Sequence, residues 1–310
     1  MTDAISPTAT QLQSPLRLSH ELAALVAAAA QSVVAVHGGG RRPSSGIVWQ
    51  PGIVVTAEET VLRDDELAVT LPDGTRVPAT LVGRDPSTDI ALLRHEAPSP
   101  VKALGSGAFA SDLQAGHLAV AIGRADGAPV ATLGIVSFAG APWRSRHGGH
   151  IDARLVIDVR LPTVAEGGAL VGADGGLIGI AVFGPRRRVL AIPAATIARV
   201  APVILDKGHV ARGYLGVALQ RVPIPAAEGA ETRRGAMVVT VDPAGPAKTA
   251  GILQGDIIVG LDGAAVTGLR TLYQQLGPEA VGKKMAVDLI RAGARTTVDV
   301  TIAPRPRADQ

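Results

Sequence analysis

Between residues 33 and 192 the chain breaks into short apolar runs divided by turn residues, a pattern that belongs to strands. The first set is Val33–Val36, Gly46–Trp49, Ile53–Thr56, Glu66–Leu71, Arg76–Gly83 and Ile90–His95. The second is Leu118–Ile122, Ala131–Phe138, Leu155–Asp158, Ala169–Val171, Leu177–Phe183 and Val189–Ile192. Turns such as Pro72-Asp73-Gly74 separate them. The 37 Gly and 22 Pro fit many short strands joined by turns. Aromatic residues are only 2%, so the cores must be built from Ala, Val, Leu and Ile. A length of 310 residues allows two or three domains with sizeable cores.

Residues 164–172 read Val-Ala-Glu-Gly-Gly-Ala-Leu-Val-Gly. Asp158 precedes this loop, and Asp174-Gly-Gly-Leu-Ile-Gly-Ile180 and Leu190-Ala-Ile-Pro-Ala-Ala-Thr-Ile197 follow it. Upstream stand Val55-Thr56-Ala57-Glu58-Glu59 and Asp85-Pro-Ser-Thr-Asp89-Ile-Ala-Leu-Leu93. Together these segments resemble the trypsin-like serine proteases of the HtrA/DegP type, over roughly residues 19–304. The resemblance implies a mainly β fold: two six-stranded trypsin-like β-barrels with a cleft between them, followed by a PDZ domain. The boundaries expected are a mobile tail at 1–18, the protease-fold domain at 19–200, a linker helix at 201–211, the PDZ domain at 212–304 and a tail at 305–310. Ser19 is expected to cap a helix with Leu22, Leu25, Val26 and Ala29 on one face.

The same resemblance implies roles that these residue types do not fill. Where the family reads Gly-Asn-Ser-Gly-Gly, Glu166 takes the nucleophile position and Val164 the oxyanion-hole glycine. Glu59 takes the position of the general-base histidine, and a one-residue slip would put Glu58 there instead. Asp89 keeps the orienting carboxylate, with no imidazole to orient. Ser106, Ser111, Ser137 and Ser145 stand on no Gly-x-Ser-x-Gly elbow, and His37-Gly-Gly-Gly40 reads as a turn. The expectation is a catalytically degenerate homologue that is not an enzyme.

Arg212-Gly-Tyr-Leu-Gly-Val217 and Asp242-Pro-Ala-Gly-Pro-Ala-Lys-Thr-Ala-Gly-Ile-Leu-Gln-Gly-Asp256-Ile-Ile resemble the opening segment and consensus of a PDZ domain. Such domains add an extended peptide to a sheet edge beside a helix. Tyr214, Leu215, Gly216 and Val217 would offer backbone N–H groups to a terminal carboxylate. Leu215, Val217, Leu272 and Leu276 would line the side-chain pocket. The expected function is a peptide-binding, chaperone or scaffold subunit that takes a protein or peptide C-terminus in this groove. The family resemblance adds a homo-oligomer, a trimer by analogy, or a place in a larger complex.

An alternative keeps chemistry in the cleft. Glu59, Asp89 and Glu166 could share protons, pair with cations, bind a divalent ion or serve a hydrolase. His147-Gly-Gly-His150 supplies only two nitrogen ligands, beside Arg144 and Arg146, and reads as a solvent loop. No cofactor is expected. With no cysteine, disulfides and thiolate metal sites are excluded. Net charge is +3, but the arginine clusters are short and interspersed with acids, so no nucleic-acid partner is expected. Met1–Leu18 carries Asp3 and no basic residue before Arg17, and the apolar run Ala23–Ala30 is too short to span a bilayer. A cytoplasmic location without a membrane span is therefore expected.

Overall fold

The structure, a computed structural model, describes residues 9–96, 101–105, 107, 109, 110, 112–125, 127–224 and 233–306. Residues 1–8 and 307–310 of the expected tails, and Ser106 and Ser111, lie outside them. The chain divides into two compact units. One comprises Met1–Trp143 and Ile151–His209, the other Arg144–His150 and Val210–Gln310.

The first unit opens with helix α1, Ala9–Ala30. It starts well before the expected cap, so Ser19 lies inside it. Gln, Leu, Ala and Arg are strong helix formers and carry the helix across Pro15 as well. Six strands then close a barrel: β1 Val33–His37, β2 Ser44–Gln50, β3 Ile53–Thr56, β4 Leu67–Thr70, β5 Arg76–Asp85 and β6 Ile90–His95. Their order around the barrel is β1-β2-β3-β6-β5-β4, closed by β1 against β4. A second barrel follows: β7 Leu118–Ala125, β8 Ala128–Gly140, β9 Arg154–Asp158, β10 Ala169–Gly172, β11 Leu177–Phe183 and β12 Val189–Pro193. Read from its first strand, its cyclic order is β7-β8-β9-β12-β11-β10, the same winding as the first barrel. Closure leaves neither barrel with a free edge. Helix α2, Ala194–Lys207, ends on Gly208 in the left-handed conformation.

Alternation of side chains explains both interiors. In β1, Val34 and Val36 enter the first core with Val48, Val54, Leu67, Val69 and Leu93. The second core is filled by Ala, Val, Leu and Ile, as the scarcity of aromatics requires.

The second unit carries a sheet of β13 Val217–Ile224, β14 Arg233–Val241, β15 Ile257–Leu261, β16 Lys284–Arg291 and β17 Ala294–Thr301, paired in that order. A two-residue strand, Ala264–Ala265, adds to β15. Helix α3, Leu269–Gln275, packs Leu272 into a core with Leu215, Val238, Ile258, Val287 and Leu289. Among the described residues strand β13 pairs with β14 alone, which leaves its other side an open edge. Segment Arg144–His150 belongs to this unit. Arg144 donates to Glu279 at 2.8 Å, and Ser145 Oγ accepts the N–H groups of His147 and Gly149.

Candidate functional site

Two places gather the residues singled out by sequence. The first is the cleft between the barrels of the first unit. A short 3-10 turn, Glu58–Thr60, leaves β3, and a second, Thr163–Ala165, leads into the loop before β10. The first turn splits the two adjacent glutamates. Glu58 pairs with Arg84, which also holds Asp64. Glu59 instead neighbours Glu166, whose pKa it raises. The two adjacent glutamates thus have different partners. Asp89, in a left-handed backbone conformation at φ 57°, accepts the Glu59 N–H at 3.1 Å. Structure thus assembles Glu59, Asp89 and Glu166 from three separate segments.

Burial and like charge set the protonation of this cluster. Glu166 is 8% exposed and accepts the Phe183 N–H at 3.1 Å. Burial pushes its carboxyl up to about 7; the Phe183 N–H and the charge of Arg187 oppose the rise, while Glu59 adds to it. Burial likewise raises Asp89 to about 7, against the Glu59 N–H and with the charges of Glu59, Glu58 and Glu166. Protons therefore remain in the cleft at neutral pH. Among the described residues no group of three His, Cys, Asp or Glu is arranged to hold a metal ion, so the cation alternative has no geometric support.

Val164 lies within the 3-10 turn, so its backbone carries no left-handed strain. The Glu166 N–H, which would face an oxyanion, closes this turn on Thr163 O at 3.2 Å. Gly167 and Gly168 are forced by close approach. A Cβ on Gly167, at φ 77°, would lie 2.4 Å from Ser45 O; one on Gly168 would lie 2.3 Å from Ile122 O.

Sequence reasoning missed Ser45, which organises this loop. Its hydroxyl donates to Val164 O at 2.6 Å and accepts the Arg124 N–H at 2.9 Å. Its N–H donates to Glu166 O at 2.8 Å, and its carbonyl accepts Thr56 Oγ1 at 2.7 Å. Fully buried, it ties β2 of one barrel to β7 and the Glu166 loop of the other. Also missed was the turn after β11. Arg187 stacks its guanidinium 4.2 Å above the Phe183 ring, beside Glu166.

The second place is the loop Tyr214–Val217 at the mouth of β13. Tyr214 donates its hydroxyl to Asp242 at 2.9 Å. The carbonyls of Leu215 and Gly216 accept N–H groups of Ala247 and Asp242, each at 2.8 Å. The N–H groups of Leu215 and Gly216 themselves make no hydrogen bond among the described residues. Gly216 has φ 76°, and a Cβ there would sit 2.8 Å from Gly245 Cα. Leu215, Leu272 and Leu276 are buried in the core beneath the groove, while Val217 packs against that core from its margin and Tyr273 of α3 is exposed.

Comparison with known proteins agrees with this architecture. Residues 44–180 match the trypsin-like peptidase domain and residues 213–302 the PDZ domain. A probable periplasmic serine endoprotease, DegP-like, from Brucella suis is 34% identical over 274 residues, covering 85% of this chain and 52% of that protein. A protein of the same name from Pseudomonas fulva is 33% identical, covering 88% of this chain and 59% of its own length. The chain thus spans about half the length of the curated relatives it matches. Among solved structures, the serine endoprotease from Yersinia pestis is 28% identical with a TM-score of 0.69, covering 91% of this chain and 97% of that one. The HtrA-type protease AlgW with decapeptide is 26% identical with a TM-score of 0.70, covering 92% and 99%.

These names overturn two expectations. A chain that is not an enzyme disagrees with relatives named serine endoproteases, which point to a protease. The identity of 34% carries the family and leaves the reacting groups to be established on this chain. A cytoplasmic location disagrees with relatives named periplasmic. The cytoplasmic reading rested on the N-terminal residues alone. The expected absence of a membrane-spanning helix is a separate matter: among the described residues no helix is long and apolar enough to cross a membrane. With two like-wound barrels, a PDZ domain and these relatives, the chain belongs to the HtrA family.

Proposed function

We propose that this chain is a periplasmic HtrA protein of the protease class that takes polypeptides as its ligands, engaging an extended C-terminal segment along β13 beside α3. The observation that carries this reading is an open strand edge that begins at two N–H groups without an acceptor, those of Leu215 and Gly216. A terminal carboxylate placed there satisfies both, and the preceding peptide residues continue the sheet by hydrogen-bonding to β13. The solved relative with a decapeptide is a protein of the same family. Tyr214 and Asp242 brace the loop, and Leu215, Val217, Leu272 and Leu276 form the apolar floor for the terminal side chain.

In the same reading Glu59, Asp89 and Glu166 occupy the family's base, orienting and nucleophile positions, with Val164 at the oxyanion glycine. Endoproteolysis comes to this chain from the names of its relatives. The test combines capture with turnover. A labelled peptide with an apolar C-terminus is titrated against the full chain, and casein hydrolysis is followed for wild type and for Glu59→His/Val164→Gly/Glu166→Ser. Capture with hydrolysis by wild type places the relatives' activity in the chain as it stands. Capture with hydrolysis only by the triple variant places that activity in the scaffold and polypeptide binding in the natural chain. No capture of any peptide overturns the reading.

A further inference from the structure

The open edge of β13 has a direction. The carboxylate-facing loop lies immediately before Val217, so a peptide with its terminus there must run antiparallel to β13, toward Ile224. Side chains alternate along a strand, so the last residue, the third from the end and the fifth from the end share one face. Along β13 the matching face is fixed by its pairing with β14. Leu219 stands opposite Val238 and Arg221 opposite Ala236, and both β14 partners are buried in the core. Residues directly opposite in an antiparallel pair point to the same side. Arg221 therefore lies on the face that α3 covers, four residues beyond Val217, about 13 Å along the strand.

Local packing holds it there. Gly268 immediately precedes α3, and a Cβ on it would lie 3.6 Å from Arg221 Nε, 3.8 Å from Cδ and 3.9 Å from Cγ. The arginine stem thus rests on the bare backbone of Gly268, which is buried, while Arg221 as a whole stays exposed. Three other cations of this unit have carboxylate partners: Arg291 with Asp256 at 2.7 Å, Lys284 with Asp299 at 2.9 Å and Arg144 with Glu279 at 2.8 Å. Among the described residues Arg221 has none. Arg270, exposed in the first turn of α3, and Arg234, exposed on β14 opposite Pro223, have none either.

We infer that Arg221 is a specificity residue of the peptide groove, selecting polypeptides with an acidic residue at the fifth position from their C-terminus. This inference rests on the peptide-capture reading above and adds the chemistry of the ligand to it. A carboxylate at that position meets a guanidinium whose stem lies beside Gly268, and its planar fork suits paired hydrogen bonds to a carboxylate. A lysine there meets a like charge.

The test uses the full chain and fluorescence polarisation of two labelled decapeptides that share an apolar C-terminal residue. They differ only in Glu or Lys at the fifth position from the end. Wild type is expected to bind the Glu peptide about fivefold more tightly, the upper range for an exposed pair. The preference is expected to shrink at high salt. Arg221→Glu is expected to reverse it, binding the Lys peptide more tightly, which also shows that the variant is folded. Arg221→Gln is expected to bind both equally. Equal affinity of wild type for the two peptides overturns the acidic preference and leaves peptide capture standing. A preference unchanged in Arg221→Glu overturns the role of Arg221. Binding of neither peptide to wild type overturns peptide capture and the preference together.

Discussion

Glu166 accepts the Phe183 N–H at 3.1 Å and has Glu59 as a neighbour that raises its pKa, so the turns that follow β3 and precede β10 bring two carboxyl groups together. Burial raises Glu166 from 4.5 to about 7 and Asp89 from 3.8 to about 7. Both groups hold protons more tightly folded than unfolded. Their contribution to stability is full below the unfolded values and is lost as pH rises through about 7. The loss is on the order of a few kcal/mol for the pair. The melting temperature is expected to fall by roughly 5–10 °C between pH 5.5 and 8. Glu166→Gln/Asp89→Asn should flatten most of that slope. An unchanged slope in the double variant would place the pH dependence elsewhere.

His95 acts in the opposite sense. It is 5% exposed, both ring nitrogens lack hydrogen-bond partners among the described residues, and burial lowers its pKa below 6.5. Its neutral form is favoured by folding, so stability is lost as pH falls through the folded value. His95→Leu is expected to reduce the acid-side loss of stability, because no hydrogen bond to a described residue is sacrificed. Urea titrations at pH 5 and 7 measure this directly. An equal acid-side loss in the variant would remove His95 from the account.

Ser45 shows why part of the site was not legible in the sequence. It lies at the start of β2, and its hydroxyl partner Val164 is 119 positions away. No local pattern marks such a residue. The strands were legible because short Val/Ile/Leu runs and turn residues are local signals, and so were Asp89 and Glu166 through their motifs. The start of α1 was misplaced because Ser19 offers a cap that the helix does not use. The different partners of Glu58 and Glu59 left no local signal, because Arg84, which holds Glu58, comes from β5.

Removing the Ser45 hydroxyl therefore gives a sharp expectation. Ser45→Ala leaves the buried Arg124 N–H without its acceptor and Val164 O without its donor. The cost is about 1–3 kcal/mol in urea unfolding, and the Glu166 loop loses an anchor. Amide exchange at Ala165 and Glu166 should accelerate more than in the remainder of the barrels. Uniform acceleration would mean that Ser45 contributes only to global stability.

At the mouth of the peptide groove, Gly216→Ala combines two penalties. Alanine is strained at φ 76°, and its Cβ would approach Gly245 Cα to 2.8 Å. The loop must shift, moving the N–H groups of Leu215 and Gly216 off a terminal carboxylate. Peptide affinity is expected to fall about tenfold or more, as expected when a charge-assisted hydrogen bond is lost. Retention of full affinity would show that the carboxylate is held elsewhere.

Arg124 is the buried cation that locks the two barrels to the end of α1. It is 2% exposed, and its guanidinium donates to Val33 O, Ala30 O and Gly127 O, each at 2.6 Å. Burial lowers its pKa and the charge of Asp73 opposes this, yet the group remains a cation because guanidinium is so basic. Arg124→Met fills similar space but leaves three carbonyls without donors, and about 3–5 kcal/mol should be lost. Arg124→Lys restores the charge but presents an ammonium in place of a planar fork, so it should recover only part of that loss. Full recovery by lysine would mean that charge, rather than the geometry of the fork, holds the junction. No loss in Arg124→Met would mean that the carbonyls find water once the arginine is gone.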